Sequence, residues 1–105
     1  MRRAARIDAN HAEIVRALRA AGCGVQDTSA VGCGFPDLVV HGPVHPFRTV
    51  LLEIKDGKKS ASETRLTAAQ MRFHAQWRGA VAVVRDVGQA LAAVGIQGVD
   101  DDRSN

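Results

Sequence analysis

The chain has 105 residues, 46% of them hydrophobic and 24% charged, with a formal net charge of +3 at pH 7. That length builds one core and no second domain, and no apolar run reaches the roughly 18 residues of a membrane span, so a soluble single-domain protein is expected. The N-terminal arginines are not followed by an apolar segment, which argues against a secretory signal and makes the cytoplasm the expected location. Cys23 and Cys33 are too few for a disulfide framework and too far apart for a C-x-x-C knuckle, so both are expected to be small buried or half-buried thiols. A mild basic excess suits a polyanionic partner without identifying one.

Residues 1–7, with Arg2, Arg3 and Arg6, read as a loose basic arm. From Asp8 the pattern changes. Ile14, Val15, Leu18 and Ala21 recur at helical spacing, Asp8 or Asn10 can cap the start and Gly22 can stop it, which predicts a first helix. Glu13 sits at the border of its apolar face, where a solvated charge paired with Arg16 is the simplest role. Residues 25–31 give a weak strand signal. Gly32-Cys33-Gly34 then permits a tight turn, and Pro36 is acceptable where a strand begins, so Asp37 opens the next strand with Leu38, Val39 and Val40.

His41 to Pro46 reads as a loop, and Phe47 to Lys55 as a second strong strand whose Val50-Leu51-Leu52 run predicts burial on both faces. The short connection predicts an antiparallel hairpin. Residues 56–65 form a polar loop carrying Lys58, Lys59 and Arg65, either solvated or touching phosphates. Thr67-Ala68-Ala69-Gln70 matches a capping box, and a helix follows to about Arg78 with Met71, His74 and Trp77 at helical spacing. Ala80 to Val84 reads as a short buried strand. Asp86 caps a final helix with Val87, Ala90, Leu91 and Val94 inward, and residues 96–105 form a polar acidic tail. The predicted order, α-β-β-β-α-β-α, implies an α/β fold with a mixed central sheet of about four strands flanked by helices, and a right-handed parallel crossover between the last two strands.

Alternation along the second strong strand puts Leu51, Glu53 and Lys55 on one face. Lys55 could serve simply as the ion-pair partner of Glu53, but that pairing leaves Asp37 without a role. Two carboxylates from neighbouring strands beside a Gly-rich turn offer hard oxygen ligands suited to Mg2+ or Mn2+, and Lys55 could orient a water or neutralise a phosphate. His11, His41, His45 and His74 lack the spacing of a zinc site, so surface or core roles are expected for them. Asp100 to Asp102 reads as a solubilising tail.

These residues resemble the PD-(D/E)XK nuclease signature, Pro36-Asp37 followed by Glu53-Ile54-Lys55, and most closely the free-standing virus-type replication-repair nuclease domains of phages and bacteria. The resemblance covers about residues 8–95 and adds Glu13 on the first helix, the Gly34-Phe35-Pro36-Asp37 turn and Gln70 on the helix after the hairpin. It implies a restriction-endonuclease-like core and a Mg2+-dependent endonuclease, with Mn2+ able to substitute. In such a protein Asp37, Glu53 and the Ile54 backbone carbonyl hold the metal, Lys55 acts on water or phosphate, and Glu13 and Gln70 support the site. Lys58, Lys59, Arg65 and Arg6 would contact DNA. The resemblance further implies branched or structured DNA, such as a four-way junction or flap, a homodimer, and a bacterial or phage-infected cell. Gln70 has a competing role as the closing residue of the capping box, and the two roles call for different rotamers. The alternatives to an enzyme are a non-catalytic nucleic-acid-binding module using the same basic residues, and a structural or interaction protein in which Glu53 and Lys55 merely pair.

Overall fold

Helix, strand and turn signals resolve, in a computed structural model that describes residues 9–43 and 48–96, into α1 (His11–Ala20), β1 (Gly24–Asp27), β2 (Leu38–His41), β3 (Thr49–Ile54), α2 (Ala68–Gln76), β4 (Ala80–Val84) and α3 (Val87–Ala93). The strands form one sheet in the order β1-β2-β3-β4. β1 and β3 both run antiparallel to β2, and β4 runs parallel to β3. The described residues therefore form an α/β architecture with a four-stranded mixed open sheet and three helices, in the predicted order. No helix among the described residues is long and apolar enough to cross a membrane.

Strand alternation divides the sheet into two unlike faces. Leu38, Val40, Val50, Leu52, Ile54 and Val84 turn to one side, where Ile14 and Leu18 of α1 and Ala90 and Val94 of α3 complete a core with Cys23. Burial there pushes the Cys23 thiol pKa up. The other face of β3 carries Leu51 and Glu53, followed by Lys55, and Gln70 of α2 reaches Glu53 and Lys55 there. Register follows this pattern, with Leu38 opposite Leu52 and Val40 opposite Val50.

Local chemistry sets the ends of α1. At its C-terminus Gly22, at φ +96°, lets the Cys23 N–H reach the Leu18 carbonyl and its own N–H reach Arg19, a Schellman closure. At the other end Asn10 precedes the helix but makes no side-chain cap. Its Nδ2 instead donates to the Lys55 and Arg85 carbonyls at 3.2 and 2.8 Å, tying the start of α1 to the ends of β3 and β4. His11 is 6% exposed and sits 3.0 Å from Asp27 Oδ2, a second tie from α1 to the sheet.

Several sequence expectations are corrected. β1 stops at Asp27 and does not run to Val31, because Asp27 Oδ1 accepts from the Ser29 N–H and hydroxyl at 2.9 and 2.6 Å and turns the chain. His41 belongs to β2, opposite Thr49, and not to the loop. β4 is an edge strand and only Val84 in it is buried. On α2 the inward side chains are Gln70, Phe73 and His74, whereas Met71 is 53% and Trp77 42% exposed. Cys33 is exposed, and Ile96 packs on the core and is not part of a tail. The basic arm with Arg2, Arg3 and Arg6, together with Val44, His45, Pro46, Phe47 and residues 97–105, lies outside the described residues.

Burial works to raise the Asp27 pKa, but hydrogen bonds from Ser29 and His11 outweigh it and hold the carboxyl below its ordinary value. The folded state therefore favours the carboxylate, and the stability this contributes is present above about pH 3.9 and lost as pH falls through the lower native value. Asp27→Ala also strips a buried histidine of its partner, and should destabilise the domain by about 1–3 kcal/mol at pH 7 in a urea titration. The difference from wild type should shrink at pH 3.

Candidate active site

The turn before β2 sets the site. Gly32, Cys33 and Gly34 all have positive φ, at 78°, 59° and 83°, an arrangement that glycine adopts without strain and that Cys33 holds as a rare L residue. A Cβ on Gly34 would collide with the Ala69 carbonyl, so the absence of a side chain lets the first turn of α2 lie directly against the turn. Pro36 is buried and its carbonyl accepts from Thr28 Oγ1 at 2.8 Å. Asp37 is fixed by its backbone, its N–H donating to the Leu52 carbonyl at 2.9 Å and its carbonyl accepting from Thr28 at 2.8 Å. Its carboxylate Oδ2 then accepts the Ile54 N–H at 2.8 Å and replaces a backbone acceptor where the β2–β3 ladder ends. Asp37 is thus locked beside the backbone of Glu53-Ile54.

Glu53 is 3% exposed, an unusual place for a carboxylate. Its Oε2 accepts from Gln70 Nε2 at 2.9 Å and lies 3.8 Å from Lys55 Nζ. Lys55 Nζ in turn donates to Gln70 Oε1 at 3.0 Å, which closes a triangle of three side chains from β3, the residue after it and α2. The same Gln70 oxygen also accepts the Thr67 N–H at 2.9 Å, and Thr67 Oγ1 accepts the Gln70 N–H at 3.1 Å. The capping box and the site contact coexist in one rotamer, contrary to the expectation that they exclude each other, because Gln70 Oε1 accepts from both Thr67 and Lys55 while Nε2 donates to Glu53.

His74 joins this group, although its lack of metal spacing gave no reason to single it out. It lies four residues after Gln70, on the same helix face, which is the signal that could have found it. Its pKa is lowered first by burial and then by the charge of Lys55. Its Nε2 is buried and has no hydrogen-bond partner.

Glu13 sits elsewhere. Its exposed side chain lines a cleft of about 340 Å³ with Asn10, Asp56, Lys58, Arg85 and Asp86, beyond the ends of β3 and β4, and neither Asp37 nor Glu53 lines that cleft. Lys59 and Arg65 are exposed on the loop after β3. That loop is folded on itself. Lys58 N–H donates to Asp56 Oδ1 at 2.9 Å, Ser60 bonds Glu63, and the buried Thr64 hydroxyl accepts from Arg85 Nη1 at 2.7 Å.

Asp37 lies one residue before Leu38 and Glu53 one residue beyond its partner Leu52, so two carboxylates sit on neighbouring strands, with the Ile54 carbonyl in the same segment. Hard oxygen ligands of this kind fit Mg2+ or Mn2+, which bind through one or two carboxylates and keep waters or phosphate oxygens for the rest. Among the described residues no group of three or more His, Cys, Asp or Glu side chains could hold a metal, so such an ion would depend on those outer oxygens. No family model, curated protein or solved structure matches the chain.

Replacing Gln70 by Ala removes the neutral donor on a buried carboxylate and half of the capping box. Denaturant titration should show a loss of about 1–3 kcal/mol, against about 1 kcal/mol for Thr67→Ala, which removes the cap alone.

Proposed function

We propose that this domain is a metal-dependent endonuclease that hydrolyses DNA phosphodiester bonds. The observation that carries the reading is the buried Glu53 carboxylate, held by Gln70 and Lys55 next to an Asp37 carboxylate clamped on the adjacent amide.

In this reading Asp37, Glu53 and the Ile54 carbonyl would hold Mg2+, with Mn2+ able to take its place, and the bound ion would supply charge neutralisation at the phosphate and a more acidic water. Lys55, already 13% exposed and aimed at Glu53, orients that water or meets the developing charge on the phosphate oxygens. Gln70 fixes both Glu53 and Lys55 and is a positioning residue. Water adds to phosphorus as the bond to the leaving sugar oxygen breaks, giving a phosphate monoester and a free hydroxyl. Lys58, Lys59, Arg65 and Arg6 contact the backbone of the substrate, which is branched or structured DNA. A homodimer would present two such sites to a symmetric junction.

Incubation of the full chain with a labelled four-way junction and a labelled flap should give cleavage that requires Mg2+ or Mn2+. Asp37→Ala, Glu53→Ala and Lys55→Ala should each lower the rate by about 100-fold or more, the scale for losing one charge-stabilising group. Gln70→Ala should have a smaller effect, and Glu13→Ala, in a separate cleft, little. Cleavage by Asp37→Ala at the wild-type rate would overturn the assignment, and salt-sensitive binding with no cleavage in any metal would favour a binding module.

A further inference from the structure

We infer that the C-terminal end of α2 is a stacking platform for one unpaired nucleobase of a DNA strand lying across the site. The inference rests on the nucleic-acid part of the reading above and not on cleavage.

Trp77 is large, apolar and 42% exposed at the cap of α2. One side of its indole is backed by Phe73, with centroids 5.2 Å apart and planes 20° from parallel, and Phe35 braces Phe73 edge-on at 5.2 Å. The stack thus ties the exposed ring back to the Gly34-Phe35-Pro36-Asp37 turn. The Trp77 backbone N–H donates to the Phe73 carbonyl at 2.9 Å, which fixes the main chain at the cap, and Gly79 lies so close to the indole that a Cβ there would come within 2.8 Å of the ring nitrogen. An aromatic face held rigid before its partner arrives binds at low entropic cost.

The surroundings suit a nucleotide. An open depression of about 700 Å³ beside the indole is lined by Ala75, Gln76, Trp77 and Arg78. Gln76 offers an amide able to donate to and accept from a base edge, Arg78 a guanidinium for a phosphate, and Arg72 a further exposed positive charge on the same helix. The C-terminal end of a helix carries negative partial charge and disfavours an anion, so the neutral base belongs against Trp77 and the phosphate against Arg78. Distance also fits. Trp77 follows Gln70 by seven residues, about 10 Å along a helix at 1.5 Å per residue, or roughly three steps of a strand at 3.4 Å each. A base inside a duplex has both faces covered by its neighbours, so the platform selects unpaired or frayed strand.

Trp77 is the only tryptophan and the chain has no tyrosine, so intrinsic emission reports on this ring alone. The full chain in EDTA, where metal-dependent cutting is suppressed, is titrated with oligothymidylate and with a blunt duplex of equal length. Saturable quenching by the single strand and little by the duplex is expected. In anisotropy with labelled oligothymidylate, Trp77→Leu, which keeps apolar volume over Phe73, should weaken binding roughly 10- to 100-fold and Trp77→Phe by less than about threefold. Single-strand binding with unchanged emission, or wild-type affinity in Trp77→Leu, overturns the platform even if the protein cuts DNA in Mg2+. Emission that changes with protein concentration in the absence of DNA, together with a dimer in sedimentation that Trp77→Leu abolishes, also overturns it and makes the ring a contact between copies. Quenching as expected in a protein that cuts nothing in Mg2+ supports the platform while removing the nuclease reading.

Discussion

Taking a carboxylate out of water at a strand end costs several kcal/mol unless donors or cations meet it, and Glu53 is nearly sealed. Gln70 and Lys55 meet it, and in doing so they decide where α2 lies. No residue of α2 is fully buried, so this helix is not held by an apolar face as α1 is. What fixes it is the Gln70 contact to Glu53 and Lys55, the capping box at Thr67, the close approach of Ala69 to Gly34, and the Phe35–Phe73 edge contact. The seat of α2 and the candidate site therefore share the same contacts.

The two faces of β3 divide the work of the domain. Val50, Leu52 and Ile54 join α1 and α3 in a dry core, which supplies the rigidity that a site on a strand end requires. Glu53 and Lys55 use the opposite orientation to present charge under α2. Asp37 connects the two, because its backbone extends the β2–β3 pairing while its carboxylate closes the ladder on Ile54. A turn with three consecutive positive-φ residues brings it there, and only a glycine at position 34 permits the helix above it.

Most of the strand order was legible because it rests on local signals. The Asp37 turn, the alternation through Glu53 and Lys55, the Thr67–Gln70 box and the Asp86 cap each lie within a few residues. What escaped was long-range. Asn10 reads as a helix cap, yet it bonds carbonyls 45 and 75 residues away. His11 and Asp27 carry no pattern that predicts their pairing. On α2 the spacing of Met71, His74 and Trp77 marks a helix but not which side faces the sheet, and the inward side carries Gln70, Phe73 and His74. Rotamer reasoning makes Gln70 choose between two roles because it treats a side chain as one contact, where this amide makes three.

The central claim is that Asp37 and Glu53 form one divalent-cation site. Crystals of the protein soaked in Mn2+ and measured at the manganese absorption edge test it directly. The account predicts an anomalous peak within coordinating distance of both carboxylates. A peak only in the cleft lined by Glu13, Asp56 and Asp86, or none at saturating Mn2+, would contradict it.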